Sequence, residues 1–210
     1  MEDTSGKIAK QGITEQAVAG FRWKLYITAS TVVMQLSFGV ILARLLPPEA
    51  FGLFLYAVTI VGLISIYAEA GLREAIIQRQ ELTKEHVRAG FTLSLFISLS
   101  ASVGLWIFAP IIASETGLSV LRVVSLLFFI SGLGAVSGAL LEKQLNFRLL
   151  FWAELVSYGV GQGVISISLA ALGFGVWSLA YGVLCYRLIQ TAAYMLMAPP
   201  AIGFPSKKVP

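Results

Sequence analysis

Ile41-Leu42-Ala43-Arg44-Leu45-Leu46-Pro47-Pro48-Glu49-Ala50-Phe51-Gly52 joins two apolar runs, and its reading decides the fold. Leu25 to Ala43 on one side and Ala50 to Ala68 on the other are free of charge and 19 residues long each, against the roughly 20 residues needed to cross a hydrocarbon core. Pro48 fits the first turn of a helix, where its missing N–H is no loss, and Glu49 suits the positive end of that helix dipole. One helix therefore ends near Leu46 and another begins near Pro48. The polar centre is so short that the two runs are expected to be antiparallel neighbours.

The rest of the chain resembles this stretch. Hydrophobic residues make up 57% of it and charged residues 12%, with a mean hydropathy of +0.83. Soluble domains are about 45–50% apolar and carry about 25% charged residues, so the solvent for most of this surface must be lipid. The pI near 9.3 does not indicate nucleic acid, because the basic residues are scattered through loops between apolar runs and form no patch. The single Cys185 excludes an internal disulfide and any multi-cysteine zinc site. The single His86 excludes histidine-rich metal chemistry, and no metal or cofactor is expected. The start is polar and acidic, and the first apolar run is too long for a signal-peptide core, so it reads as an uncleaved first span.

In order, residues 1–20 form a cytoplasmic N-terminal segment, read as a short interfacial helix or frayed tail. Residues 21–198 form a lobe with six spans, at about 25–46, 50–68, 89–112, 118–141, 150–172 and 176–197. Residues 69–88 are a polar loop, part helical, in which Thr83 is the N-cap of the third span and Glu85 a first-turn carboxylate. Ser114-Glu115-Thr116-Gly117 and Gly173-Phe174-Gly175 are tight turns. Residues 199–210, with Pro199, Pro200 and Pro205, form a cytoplasmic tail or the start of a linker. Runs of this length are too long for barrel strands, and open sheets cannot span lipid, so the fold is an all-α membrane bundle.

Orientation follows from the cations. One set of loops and span ends holds Lys7, Lys10, Arg22, Lys24, Arg73, Arg79, Lys84, Arg88, Lys143, Arg148, Lys207 and Lys208, whereas the other keeps Arg44 and Arg122. The positive-inside rule then puts both termini in the cytoplasm.

Catalytic signatures are absent: there is no Walker loop, H-E-x-x-H, nucleophile elbow or paired aspartate, so no enzyme is expected. Gly159-Val160-Gly161-Gln162-Gly163 lies inside an apolar span with no strand before it, and reads as packing and not as a phosphate cradle. Gly159/Gly163 and Gly134/Gly138 have the spacing that lets helix backbones approach.

Polar residues inside the spans form stripes, the candidate lining of a polar path. Lys24, Thr28, Thr31 and Gln35 share one face of the first span, and Glu154 and Gln162 lie with Ser157 and Tyr158 on one face of the fifth. Arg187, Gln190, Thr191 and Tyr194 share a face of the sixth. Hydroxyls and amides can be interhelical glue, and Lys24 and Glu154 can sit at the interface. Arg187 lies mid-span, where a charge costs roughly 2.5–3.5 kcal/mol, and is expected to face a polar cavity.

These motifs resemble a known family. Ala43-Arg44-Leu45-Leu46-Pro47-Pro48-Glu49-Ala50-Phe51-Gly52 is similar to the "ARLLxPxxFG" signature of polysaccharide flippases. Ala70-Gly71-Leu72-Arg73-Glu74-Ala75-Ile76-Ile77-Gln78-Arg79, Leu82-Thr83-Lys84-Glu85-His86, Gly132-Leu133-Gly134-Ala135-Val136, Leu145-Asn146-Phe147-Arg148 and Leu172-Gly173-Phe174-Gly175-Val176-Trp177 follow in the same order. The resemblance, from about Gly20 to about Pro200, is to Wzx-type transporters of the MOP exporter superfamily, which also contains MATE drug exporters. It implies one six-helix lobe of a two-lobe transporter. Its implied cargo is an undecaprenyl-diphosphate-linked oligosaccharide, flipped across the bacterial inner membrane for O-antigen, capsule or exopolysaccharide. Implied partners are membrane lipid, a second six-helix lobe, self or separately encoded, and a polysaccharide polymerase or glycosyltransferases. Family members usually have twelve to fourteen spans, so the chain is expected to be a truncated or split product, or a fragment. Two other readings stand beside this one: a MATE-like exporter of organic cations, which would favour carboxylates deep in the spans, and a non-transporting scaffold for a polysaccharide assembly complex.

Overall fold

The computed structural model describes residues 2–78, 83–113, 115–144 and 146–199. Residues 79–82 of the expected polar loop, Ser114 of one expected turn, Leu145 and residues 200–210 of the expected tail lie outside the described residues.

The elements are α1 (Glu2–Leu45), α2 (Pro48–Gln78), α3 (Lys84–Ile112), α4 (Glu115–Lys143), α5 (Phe147–Tyr158), a π-helical segment (Gly159–Ile165), α6 (Ser166–Ala171) and α7 (Val176–Met197). Local chemistry sets the boundaries where it was expected to. α2 opens on Pro48 with Glu49 in its first turn, and the Ala50 N–H donates to the Pro47 carbonyl at 3.0 Å. α3 opens on a Thr83 capping box: the Thr83 hydroxyl accepts from the His86 N–H, and the His86 ring accepts from the Thr83 N–H, both at 3.4 Å. The turn into α7 needs two glycines, because Gly173 and Gly175 have φ of +83° and +56°, where a Cβ would be strained.

Five stretches are long and apolar enough to cross a membrane: Arg22–Leu45, Pro48–Ser65, Glu85–Ile112, Gly117–Lys143 and Phe147–Ala171. α7, at 22 residues, matches the sixth expected span in its limits but carries Arg187, Gln190 and four aromatic side chains along its length, and it is not among these five.

α1 runs unbroken from Glu2 into the first span, and α2 continues to Gln78, into the polar loop that reads as part helical. Two expectations are corrected. α1 and α2 are consecutive but do not pack along each other. α1 lies on α5, the π segment and α6, whereas α2 lies on α4, α3 and α7. The reason lies in the turn itself, since Leu42, Leu46 and Ala50 are buried against Ala170 and Leu179, which wedges the base of α6 and α7 between the two. Finally, the fifth span is not one α-helix. The Ser166 N–H donates to the Gly161 carbonyl, five residues back, and the helix widens through the glycine-rich run.

α4 is the central helix. Val120, Leu121, Val124, Leu127 and Phe128 are buried against Ala57 and Val61 of α2, Leu105 and Ala109 of α3, and Ala180 and Leu184 of α7. Glycines let the neighbours come close. A Cβ on Gly132 would sit 1.9 Å from the Ser98 hydroxyl, and one on Gly161 would sit 2.5 Å from the Tyr186 backbone. Gly134 and Gly138 face Thr191 and Tyr194, and Gly159 and Gly163 face Met34 and Phe38, so both glycine pairs pack inside the bundle. The outer faces carry exposed Val33, Leu36 and Val40 of α1 and Phe96, Trp106 and Ile107 of α3, the surface expected where the solvent is hydrocarbon.

Candidate substrate path

A cavity of about 600 Å³ lies within the bundle. Its lining comes from Lys24 and Thr28 near the start of the α1 crossing, Val58 to Ser65 in the middle of α2, and Ser94 and Ser98 in the first half of α3. Leu127 to Glu142 in the second half of α4, Phe147 to Glu154 in α5 and Val183 to Tyr194 in α7 complete it. Because successive helices reverse direction, the cavity runs from the middle of the bundle toward the end that holds the Lys143–Arg148 connection. The opposite end holds the Leu46–Pro48 and Gly173–Gly175 turns.

The polar wall is a network between α5 and α7. The Tyr186 hydroxyl donates to Glu154 Oε1 at 2.6 Å, and the Gln190 amide donates to Glu154 Oε2. The same amide nitrogen donates to the Tyr186 hydroxyl at 3.3 Å, and its oxygen accepts from the Arg187 guanidinium at 2.9 Å. The guanidinium carbon lies 5.0 Å from the centre of the Tyr186 ring, a cation–π arrangement. Tyr158 closes the group edge-on, 5.3 Å from the Tyr186 ring centre. The network depends on close backbones: Gly161 of the π segment lies against the Tyr186 backbone, and Gly182 of α7 against the Ser166 side chain and the Gly161 carbonyl. With any side chain at Gly161, α5 and α7 could not stand at this separation.

Two further hydrogen bonds fix the other walls. Thr191 donates to the Ile130 carbonyl of α4 at 3.1 Å, and Ser94 of α3 donates to the Gly132 carbonyl of α4 at 2.9 Å. Thr191 is thus both a cavity residue and interhelical glue.

Of the ten residues proposed from the sequence, the structure brings seven to the cavity: Arg187, Gln190, Thr191, Tyr194, Lys24, Thr28 and Glu154. Thr31, Gln35 and Gln162 are elsewhere. Thr31 donates to its own helix at the Ile27 carbonyl, 2.8 Å away, and Gln35 is exposed on α1. Gln162 accepts from Ser166 at 3.1 Å, and the π turn between Glu154 and Gln162 takes the two off a common face. The α1 stripe therefore reaches the cavity only through its first two members. Tyr186 was missed. Its signal was present, since it precedes Gln190 by one helical repeat and adjoins Arg187, but a tyrosine in an apolar span reads first as packing. Glu142, Ser65, Ser94 and Ser98 were missed as well, lying on helices where no stripe stood out. Among the described residues no cluster of His, Cys, Asp and Glu could hold a metal ion.

Chemically, the cavity offers two cations, Lys24 and Arg187, together with two carboxylates and a set of hydroxyls, inside an otherwise apolar bundle. Residues 41–208 match the family described as polysaccharide biosynthesis protein. The chain is similar to the succinoglycan biosynthesis transport protein ExoT of Rhizobium meliloti, with 38% identity over 143 residues, 66% of this chain and 29% of that protein. It is similar to the lipopolysaccharide biosynthesis protein WzxC of Escherichia coli, with 21% identity over 88% of this chain and 37% of the relative. It is also similar to the teichuronic acid biosynthesis protein TuaB of Bacillus subtilis, with 25% identity over 74% of this chain and 33% of the relative. The chain spans about a third of the length of the curated relatives it matches. No solved structure matches it.

Proposed function

We propose a transport function for this chain, which belongs to the polysaccharide biosynthesis protein family and is a multi-pass membrane protein. It forms a helical lobe of a carrier that moves lipid-linked oligosaccharide, held through an undecaprenyl diphosphate, from the cytoplasmic to the outer leaflet of the bacterial inner membrane. The names of the relatives, a transport protein for succinoglycan and biosynthesis proteins for lipopolysaccharide and teichuronic acid, favour a polymer precursor as cargo. The observation that carries the reading is Arg187: a guanidinium in mid-helix, at the wall of a cavity that Lys24 also lines. A diphosphate supplies the oxygens that such a cation binds best, by charge-assisted hydrogen bonds strengthened in a low dielectric.

The cavity end is the cytoplasmic end in this reading, because it carries the cation-rich connections. Cargo then enters where Lys24, Lys143 and Arg148 stand, and both termini are cytoplasmic. Alternating access needs two bundles moving about a central site, so this lobe works against a second one, either another copy or a separate six-helix bundle. An exporter of organic cations is disfavoured, because Lys24 and Arg187 line the same cavity and would repel such a cargo. Docking to a polymerase or glycosyltransferase is compatible with the transport role.

The test is translocation of fluorescent undecaprenyl-diphosphate-linked sugar in vesicles holding the paired lobes. Arg187→Ala is expected to reduce it far more than Arg187→Lys. Full transport by Arg187→Ala would overturn the reading.

A further inference from the structure

The Glu154–Gln190–Arg187 arrangement is an unusual way to place a cation near a carboxylate. An arginine and a glutamate on neighbouring helices inside a low-dielectric bundle would be expected to pair directly and bidentately, each neutralising the other. Here the amide of Gln190 stands between them. Gln190 is 7% exposed, and its three hydrogen bonds are all made inside the network. Its orientation is dictated by its neighbours. Turned over, the amide would set its oxygen against the carboxylate and its N–H groups against the guanidinium. Glu154 and Tyr186 therefore fix which way Gln190 faces, and Gln190 fixes where the guanidinium lies.

The consequence is a cation that is held without being cancelled. Among the described residues Arg187 donates to Gln190 alone, while a guanidinium carries five N–H donors. Its guanidinium carbon lies over the Tyr186 ring, and the residue lines the cavity. The Gln190 amide oxygen and the Tyr186 ring hold the guanidinium in the bundle, and most of its donors are kept for an incoming anion.

We propose that Gln190 and Glu154 are positioning residues, which hold Arg187 as an open receptor for the diphosphate of the cargo. This rests on the transport reading above and adds to it that the carboxylate acts through the geometry of Gln190 and not through its charge.

The experiment measures binding of undecaprenyl diphosphate to the full chain in lipid nanodiscs, with undecaprenol and inorganic diphosphate as the parallel probes. The complete chain should bind undecaprenyl diphosphate, ignore undecaprenol and be competed by inorganic diphosphate. Gln190→Leu keeps the volume but removes the amide, and should weaken binding roughly 10-fold, the scale of one hydrogen bond to a charged group. In an Arg187→Ala background the same change should have no further effect. Glu154→Ala should match Gln190→Leu, whereas Glu154→Gln, which can still accept from the Gln190 amide, should stay within about threefold of the parent by the same scale.

An equal loss from Gln190→Leu with and without Arg187 would overturn the inference, since a residue that only supports the fold does not need Arg187 to be felt. So would a loss in Glu154→Gln as deep as that in Glu154→Ala, which would assign the carboxylate's charge a direct role. If Arg187→Ala weakens binding but Gln190→Leu does not, the positioning idea fails alone. Unchanged binding in Arg187→Ala would remove the transport reading and the inference together.

Discussion

Gly161→Ala tests how the site is built. A Cβ at that position would lie 2.5 Å from the Cα, N and Cβ of Tyr186. Carbon atoms rest comfortably at about 3.5–4.0 Å, so the π segment and α7 would have to part by about 1 Å, and backbone atoms cannot rotate out of the way. Overpacking of this kind costs roughly 1–3 kcal/mol. The same displacement acts on the polar wall. Moved apart by about 1 Å, the 2.6 Å bond from Tyr186 to Glu154 becomes about 3.6 Å, beyond hydrogen-bond range. Gly104 of α3 is the control, because a Cβ there would meet nothing within 4 Å. Gly104→Ala should gain up to about 1 kcal/mol from helix propensity. Thermal unfolding followed by circular dichroism, in one detergent for all variants, should place Gly161→Ala below the parent and Gly104→Ala at or above it. If Gly161→Ala and Gly104→Ala melt together, the close approach does not hold the site, and the account of the α5–α7 wall fails.

Other consequences are open to direct measurement. Gly173→Ala and Gly175→Ala should each cost about 1–2 kcal/mol, from backbone strain alone, since neither added Cβ meets an atom within 4 Å; unfolding midpoints equal to the parent would contradict the positive φ. Thr83→Ala should lose about 0.5–2 kcal/mol at the start of α3, read as faster hydrogen exchange at the Glu85, His86 and Val87 amides; unaltered exchange would dismiss the capping box. In a Cys185→Ser background, a membrane-impermeant thiol reagent applied outside should label Glu49→Cys and Gly117→Cys and spare Glu81→Cys and Lys143→Cys. The reverse pattern would invert the proposed orientation.

What could be read in the sequence was local. Pro48-Glu49, Thr83 with Glu85 in the first turn after it, and Gly173-Phe174-Gly175 each carry their structural instruction within a few residues, and the structure uses each of them, adding the His86 ring to the Thr83 cap. The stripe on α7 was legible for a related reason: its helix is regular, so positions 187, 190, 191 and 194 stay on one face. What failed needed information from elsewhere in the chain. The separation of α1 from α2 comes from Ala170 and Leu179, more than a hundred residues beyond the turn they prop open. Gln162 was assigned to the Glu154 face by a 3.6-residue period that the π segment does not keep. Thr31 and Gln35 follow Lys24 and Thr28 in perfect register, yet the cavity ends before it reaches them.

The length of the helices bears on the membrane itself. At 1.5 Å per residue, the 24 residues of Arg22–Leu45 extend about 36 Å and the 28 of Glu85–Ile112 about 42 Å, against a hydrocarbon core of about 30 Å. The surplus is absorbed by tilt, by local thickening of the lipid, or by helix ends that stand among the headgroups. The cavity lies toward the end where Lys143 and Arg148 connect α4 to α5, so this surplus decides whether its mouth opens among acyl chains or among phosphates. Acyl-chain length is thus a physical variable of the site: lipids that shorten the hydrocarbon layer increase the mismatch, and with it the force that tilts the walls of the cavity against one another.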